Sequence, residues 1–283
     1  MQEPENTKPL SKKEIKNKKL SKRILELDLM RFIAIMFMVA DHLMYDLGVL
    51  MGNIFSDFPG TNPIANNVVL SALWYRSWDV RISFRIFILI IFFGLTGLCC
   101  AFSKNNLKRG LRLGVVSLVI TLATYILGII MKDPEMMVTF GVLHCISFGL
   151  IIIGLLEKFI KDKKVYLVIG LCLIIVGCIL YPYPRILYSD DNFVMVVLKQ
   201  IAGLGRAGSD SFPFPIYGGM MFLGAFFSSI LYPTKTSLFH FKYHNNIITF
   251  IGRNTLAVYV GHQVLLPVIV GIILLIAGFH LAL

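Results

Sequence analysis

The chain carries little charge and has no cysteine pairing pattern, and both absences narrow its class. Only 15% of the 283 residues are charged, and 57% are hydrophobic; an average soluble domain has about 25% charged residues. The five cysteines fall within apolar runs, none forms a CxxC pair and their number is odd, which argues against a disulfide framework or a metal site. The sequence also has no internal repeat, so it favours one membrane-embedded domain.

The excess of positive charge has a simple explanation. A net charge of +11 would suit a nucleic-acid partner, but Lys and Arg stand between long apolar runs, so no nucleic-acid binding is predicted. Such residues accumulate in the cytoplasmic segments of membrane proteins. Residues 1–23 carry eight of them, and no signal cleavage site follows. They are predicted to form a disordered cytoplasmic tail ahead of a membrane domain over residues 24–283.

Long apolar runs predict an all-α, polytopic bundle of transmembrane helices with short interfacial helices. A helix needs about 20 mostly apolar residues to cross a bilayer. Seven runs fit this requirement, and residues 193–204 form a shorter run that would be interfacial, re-entrant or part of an eighth span. The seven predicted spans are residues 25–50, 82–102, 111–131, 136–156, 165–181, 214–232 and 256–276.

The connections between these spans alternate in basic charge. Lys and Arg concentrate in the tail and in the second, fourth and sixth connections. This pattern predicts seven spans with the N-terminus in the cytoplasm and the C-terminus outside, whereas an eighth span would return the C-terminus to the cytoplasm. A composition rich in Ile and Lys is typical of an AT-rich bacterium, so the expected location is the lipid of a bacterial cytoplasmic membrane.

Ionisable residues within the first span are the strongest functional signal, because such residues are costly in a bilayer and mark functional sites by default. Arg31 and His42 are eleven positions apart. That is about three helical turns and roughly 16 Å of rise, so the two side chains share a face, with Arg31 near the cytoplasmic surface and His42 towards the outside. Asp28 and Asp46 fall within about 40° of that face. The helix therefore presents a polar stripe to the bundle, or to a wet tunnel, rather than to lipid.

The first span resembles that of a known group of membrane enzymes. Arg31 and His42 match the R-X10-H pattern of the acyltransferase-3 family. Residues 25–46 are still more similar to bacterial proteins of the heparan-α-glucosaminide N-acetyltransferase catalytic-domain type, although Phe32 stands where that family has Gly. The resemblance extends over residues 25–266, and its further motifs are residues 93–97, 140–146, 252–262 and, more loosely, 210–215.

This resemblance implies a membrane acyltransferase. It would take an acyl group, with acetyl first among the candidates, from cytoplasmic acyl-CoA and pass it to a hydroxyl or amine of a sugar or another acceptor outside. The extended thioester arm of acyl-CoA is comparable in length to the separation of the polar residues on the first span. The nucleotide would rest on the basic residues of the cytoplasmic side, namely Arg31, Lys108, Arg109 and Arg112.

His42 is the candidate catalytic residue, since an imidazole is a base near neutral pH. It would act as a general base or carry the acyl group as an acyl-imidazole, and the sequence leaves both roles open. Asp46, four residues further along the helix, or Asp41 would orient it. The alternative for His42 is a structural histidine bonded to a neighbouring helix.

Four further residues are predicted to bind substrate, and the first three have a structural alternative. Arg85, near the outer end of the second span, would polarise the thioester carbonyl or snorkel to the interface. His144, in the outer half of the fourth span, would bind the acceptor or pack against neighbours. Asp210 would cap the helix that it precedes or bind a sugar hydroxyl. His262 is predicted in the inner half of the last span.

Gly94 and Gly97 are predicted to allow close helix packing in the second span, and Trp74 and Trp78 to belong to an interfacial aromatic belt.

Two other function classes fit the intramembrane charges. A transporter or flippase for a small anionic or lipid-linked solute explains them equally well. It predicts paired broken helices and inverted repeats, whereas only one span, at Pro267, is interrupted by proline. A haem protein would use His42 and His144 as axial ligands. A homo-oligomer is compatible with any of these functions.

Overall fold

Ten α-helices make up most of the chain in the computed structural model, which describes residues 11, 20, 23–133, 136–180, 192–205, 210–239 and 243–282. The predicted disordered tail, residues 1–23, lies almost wholly outside the described residues. The helices are α1 Leu25–Ile54, with a π-helical turn at Asp46–Leu50; α2 Pro63–Ser77; α3 Asp79–Leu98, continued by the 3-10 turn Cys99–Phe102; α4 Asn106–Met131; α5 Val142–Leu156; α6 Lys164–Leu180; α7 Phe193–Ala202; α8 Phe214–Leu231; α9 Ile247–Arg253; and α10 Thr255–Ile276.

Five of these helices, α1, α3, α4, α8 and α10, are long and apolar enough to cross a membrane. The fourth and fifth predicted spans correspond to α5 and α6, which have only 15 and 17 residues. The predicted short run is α7, whose ten residues are too few to cross. The predicted all-α membrane bundle is therefore confirmed. The fourth span is shorter than predicted, and the fifth has the predicted length of 17 residues.

The fourth predicted span is helical only from Val142, because side chains hold the backbone before it in a non-helical path. Thr121 Oγ1 donates to the Val138 carbonyl at 2.8 Å, and the Val138 N–H donates to Thr124 Oγ1 at 3.0 Å. The Val142 N–H donates to Asp210 Oδ2 at 3.3 Å. Irregular backbone at membrane depth is tolerated only where such partners satisfy it. An apolar composition indicates burial but does not reveal this break.

The described chain forms two compact units. The terminal unit consists of the described residues up to Leu89 and from Thr236 onwards, and the central unit is Ile90–Lys235. A core of the terminal unit is formed where α1, α2 and α10 meet, and its buried members are Met51, Phe55, Phe58, Ala65, Val270 and Leu274.

In the terminal unit, α1 and α3 run antiparallel. Asp41 pairs with Arg81, while Phe37 packs against Phe84 with ring centroids 4.7 Å apart, so residue numbers rise on one helix as they fall on the other. The intervening α2 begins at Asn62, whose side chain accepts from two backbone N–H groups of the first turn at 3.0 and 3.1 Å. The Trp74 and Trp78 side chains are exposed and stack at 5.7 Å.

The first and last long helices of the terminal unit run parallel. His42 meets His262, and further along both helices Phe55 lies beside Gly271. After α10, the backbone of Leu281 bridges to that of Phe55. If α1 and α10 both cross the membrane in the same direction, the total number of crossings is odd. An odd number is what the seven-span prediction requires.

Glycines set the distances between helices in the central unit. A Cβ on Gly97 would lie 1.9 Å from the Met221 carbonyl oxygen, and one on Gly224 would lie 2.0 Å from that of Gly94. Helices α3 and α8 therefore touch backbone to backbone, which is the close packing predicted for Gly94 and Gly97. A Cβ on Gly154 of α5 would likewise lie 2.3 Å from the backbone of α4.

Candidate active site

The imidazoles of His42 and His262 form a hydrogen-bonded pair in the terminal unit. His42 Nδ1 and His262 Nε2 are 2.7 Å apart, and the ring centroids are 4.8 Å apart. His262 is only 6% exposed, and His42 is partly exposed. The prediction that these histidines lie in opposite halves of the membrane is wrong, because parallel packing of α1 and α10 brings them to one level.

A chain of hydrogen bonds fixes the proton on each ring. His262 Nδ1 lies 3.1 Å from the Val258 carbonyl oxygen, and because a carbonyl only accepts, Nδ1 carries the proton. Nε2 of neutral His262 is then an acceptor, so the donor across the pair is His42 Nδ1. His42 Nε2 is left with its lone pair and has no hydrogen-bond partner among the described residues. The pair thus presents an open nitrogen that can take a proton or attack a carbonyl.

The carboxylate of Asp41 belongs to a different contact. Arg81 donates to its two oxygens from Nε at 2.7 Å and from Nη2 at 2.6 Å, a bidentate ion pair that ties α1 to α3. The predicted role of Asp41 in orienting His42 is therefore corrected, because its two oxygens are held by Arg81 and the Nδ1 of His42 is held by His262. Nothing in the sequence singled out Arg81 beyond its place in a connection.

Asp46 lies one turn beyond His42, at the start of the π-helical turn. Its predicted role was also to orient His42, but His262 occupies the nitrogen that Asp46 would have to reach. The Asp46 side chain is 6% exposed, and within the described ranges its carboxylate has no hydrogen-bond or ion-pair partner. A buried carboxylate with no partner is uncommon, because burial removes the water that stabilises its charge.

Arg85 follows Arg81 by one turn of α3. Because α1 and α3 are antiparallel, this step moves it back along α1, towards the side on which the His42 ring leans. Arg85 is exposed, and none of the described residues forms a hydrogen bond or ion pair with it. Its contact with a thioester carbonyl stays a prediction.

At the N-terminal end of the polar stripe, the buried carboxylate of Asp28 accepts hydrogen bonds from three residues. Arg31 Nη1 donates at 2.9 Å, Arg23 donates twice at 2.8 Å, and the Tyr243 hydroxyl donates at 3.0 Å. Asp28 raises the pKa of the Arg23 guanidinium through these bonds. Arg31 thus pairs with Asp28 on its own helix. Two guanidinium groups share this one carboxylate.

The other residues predicted to hold the nucleotide lie in the first turns of α4, in the central unit. Lys108 and Arg112 are exposed and Arg109 is partly exposed, so all three offer charge to solvent. Their contact with a nucleotide stays a prediction. Across the described ranges, no three His, Cys, Asp or Glu side chains are grouped so that they could hold a metal ion.

His144, at the start of α5, has both ring nitrogens in hydrogen bonds. The Gly141 N–H donates to Nδ1 at 3.3 Å, so the proton of the neutral ring is on Nε2, which lies 2.9 Å from Thr121 Oγ1. The Thr121 hydroxyl donates its own hydrogen bond to the Val138 carbonyl. The ring therefore satisfies the irregular backbone before α5, which is the structural alternative for His144.

Asp210 also serves that backbone. It accepts from the Val142 N–H, and a Cβ on Gly141 would lie 2.5 Å from its Oδ2. Capping was the structural alternative for Asp210, but the prediction of which helix it caps is wrong. Asp210 caps α5, whereas α8, which it precedes, begins after Pro213 without a side-chain cap.

Comparison with known proteins gives the family. A search of curated proteins found no match, and a search of solved structures found none either. A scan against protein-family models matches residues 66–264 to the family described as "Heparan-alpha-glucosaminide N-acetyltransferase, catalytic". The matched range contains His262 and Arg85 but not α1, so the match gives no information about His42. Because this match covers more than half of its residues, the chain belongs to the heparan-α-glucosaminide N-acetyltransferase catalytic-domain family.

Proposed function

We propose that this membrane protein transfers an acyl group, with acetyl first among the candidates, from cytoplasmic acyl-CoA to a hydroxyl or amine of a sugar or another small acceptor at the outer side. It would be a multi-pass protein of a bacterial cytoplasmic membrane with its N-terminus in the cytoplasm. Membership of the family supports a transferase. The observation that supports a reacting role for His42 is its open Nε2, held in one tautomer by His262.

In the first route, His42 acts as a general base. The proton of the acceptor O–H or N–H moves to His42 Nε2 while the acceptor atom bonds to the acyl carbonyl carbon. The C–S bond then breaks, and the departing CoA sulfur takes the proton from Nε2. His262 stabilises the transient imidazolium, because the Nδ1–H of His42 points at its lone pair. The Val258 carbonyl holds His262 in the tautomer that accepts.

In the second route, His42 carries the acyl group. Nε2 attacks the carbonyl carbon, the C–S bond breaks and CoA leaves as a thiolate, while the Nδ1 proton moves to Nε2 of His262. The acceptor then bonds to the same carbon, the C–N bond breaks and His262 returns the proton to His42. The acceptor proton leaves with the thiolate. Both routes need the same hydrogen bond between the two histidines.

The charges along α1 suit a donor that enters from the cytoplasmic end. Acyl-CoA has phosphates at one end and its thioester at the other. The guanidinium groups of Arg23 and Arg31, at the N-terminal end of α1, suit the phosphates. Arg85, which has no partner in the described chain, suits the carbonyl oxygen as negative charge develops on it.

The test uses purified protein in lipid nanodiscs with acetyl-CoA and three acceptors, glucosamine, glucose and glycerol, and it measures release of the CoA thiol. We expect acceptor-dependent release, and we expect His42→Ala to slow it by roughly 10²- to 10⁴-fold, the usual contribution of a general acid–base group. His244→Ala, at an exposed histidine of the same unit, is the matched control. Acetylated His42 found by mass spectrometry after a rapid quench would select the second route.

Two results would count against the proposal. Turnover that survives His42→Ala removes this residue from the mechanism. Failure of the wild-type protein to bind or consume acetyl-CoA removes the acyltransferase itself and favours the transport alternative.

A further inference from the structure

Asp46 is the one residue of the polar stripe whose burial the proposed reaction does not explain. Its side chain is 6% exposed and lies in a membrane span, yet it has no hydrogen-bond or ion-pair partner in the described part of the chain. The other aspartates of α1 have such partners, since Asp28 binds two arginines and Asp41 binds Arg81. Ionisable residues at such positions face a cavity or a ligand.

The side chain of Asp46 is buried, but its carboxylate oxygens are not fully enclosed. The polar side-chain atoms that are fully enclosed and lack a partner belong, in the described chain, to Asn106, Tyr166 and Ser211. Asp46 is not among them, so its unpartnered oxygens remain within reach of a group the size of water. A small polar ligand can therefore touch this carboxylate even though the body of the side chain is covered.

The backbone places this carboxylate next to the reacting nitrogen. Asp46 follows His42 by four residues, which puts it on the same face of α1 and about 6 Å further along the axis. The helix changes there from α to π geometry over Asp46–Leu50, and such wide turns often occur at functional sites. The carboxylate and the reacting ring thus share one face of α1.

We infer that Asp46 binds the acceptor: its carboxylate accepts a hydrogen bond from an amino or hydroxyl group next to the group that is acylated. This inference rests on the proposed acyl transfer at His42. A carboxylate can only accept, so its ligand must be an N–H or O–H donor. Neutral and cationic acceptors, such as sugars and amino sugars, fit beside it. An acceptor with its own carboxylate at that position is repelled.

The test measures acceptor and donor kinetics separately, with the acceptor of the panel that gives the fastest thiol release. We expect Asp46→Asn to raise the acceptor KM at least tenfold and to leave the acetyl-CoA KM within twofold. Glucuronate should be a poorer acceptor than glucose for the wild-type protein, and this difference should shrink in Asp46→Asn. Asp79→Asn, which removes an exposed carboxylate at the start of α3, is the matched control.

The inference is overturned if the acceptor KM of Asp46→Asn stays at the wild-type value, or if Asp79→Asn changes it equally. This failure differs from failure of the proposed function, in which the wild-type protein does not consume acetyl-CoA at all.

A second measurement needs no turnover. In a background in which the exposed Cys172 and Cys178 are replaced by Ala, Asp46→Cys should react with a charged, water-soluble maleimide. Absence of labelling would show that no aqueous crevice reaches this position, and it would also overturn the inference.

Discussion

His42 of the terminal unit and His144 of the central unit look alike in the sequence, since each is a histidine within an apolar run. Their hydrogen bonds separate them. His144 uses one ring nitrogen to accept from the Gly141 backbone and the other to bond Thr121. His42 uses one nitrogen in its bond to His262 and leaves the other open.

The carboxylates of the two units repeat this contrast. Asp210 accepts from the first turn of α5, so it serves the fold. Asp46 is buried without a partner among the described residues. Residue type and depth therefore do not distinguish a reacting group from a structural one. What distinguishes them is whether every donor and acceptor of the group is already used by the protein.

Substitution of His262 should have the largest effect on this contrast, and the effect is measured as turnover. His262→Phe removes the acceptor for His42 Nδ1, and we expect kcat to fall about 10- to 100-fold, the usual cost of losing a residue that orients a reacting one. The acetyl-CoA KM should change little. His262→Gln keeps an acceptor in reach and should restore part of kcat. Equal losses in both variants would show that His262 only fills space.

A second effect concerns the stability of the central unit. Gly97→Ala puts a Cβ 1.9 Å from the Met221 carbonyl oxygen, so α3 and α8 must separate. We expect a loss of about 3 kcal/mol, the upper end of the usual cost of overpacking. Gly94→Ala is the matched control, because its Cβ would meet nothing within 4 Å. Equal melting temperatures for the two variants in nanodiscs would contradict the close contact.

A smaller effect would show that the His144 network is structural. Thr121→Val removes the partner of His144 Nε2 and the donor to the Val138 carbonyl. Leaving buried polar groups unpaired should destabilise the protein by about 2 kcal/mol. Turnover per folded molecule should stay near the wild-type value. If the variant keeps its melting temperature but loses turnover, the network takes part in the reaction and the contrast between the two histidines fails.

The helices were largely predictable from the sequence, because apolar length alone identifies a membrane span. The break before Val142 was not, since side chains distant in sequence, such as Asp210, hold that backbone. At the site, periodicity placed His42 and Asp46 on one face of α1. Periodicity could not identify His262 as the partner of His42. A partner on another helix depends on how the helices pack and not on spacing within one of them.

The smallest expected effect is at the end of the terminal unit where Asp57 and His280 meet. The backbone N–H of His280 donates to Asp57 Oδ1 at 2.8 Å, and its ring lies 2.9 Å from Oδ2. These bonds lower the pKa of Asp57 below its usual 3.8. A carboxyl whose pKa is lowered by folding stabilises the fold above its unfolded pKa, and this contribution is lost as pH falls through the lower, folded value. The contact should therefore persist at neutral pH and weaken only below about pH 4.

Hydrogen exchange can follow this contact at the Ala282 N–H, which donates to the Ile54 carbonyl. After correction for intrinsic rates, its protection should fall in acid in the wild-type protein. In Asp57→Asn the protection should already be lower at pH 7, and it should depend less on pH. Because the ion pair is exposed, the change should be modest and should leave the His42–His262 pair intact. Loss of turnover in Asp57→Asn would instead show that the Asp57–His280 contact helps to hold α1 against α10 at His42 and His262.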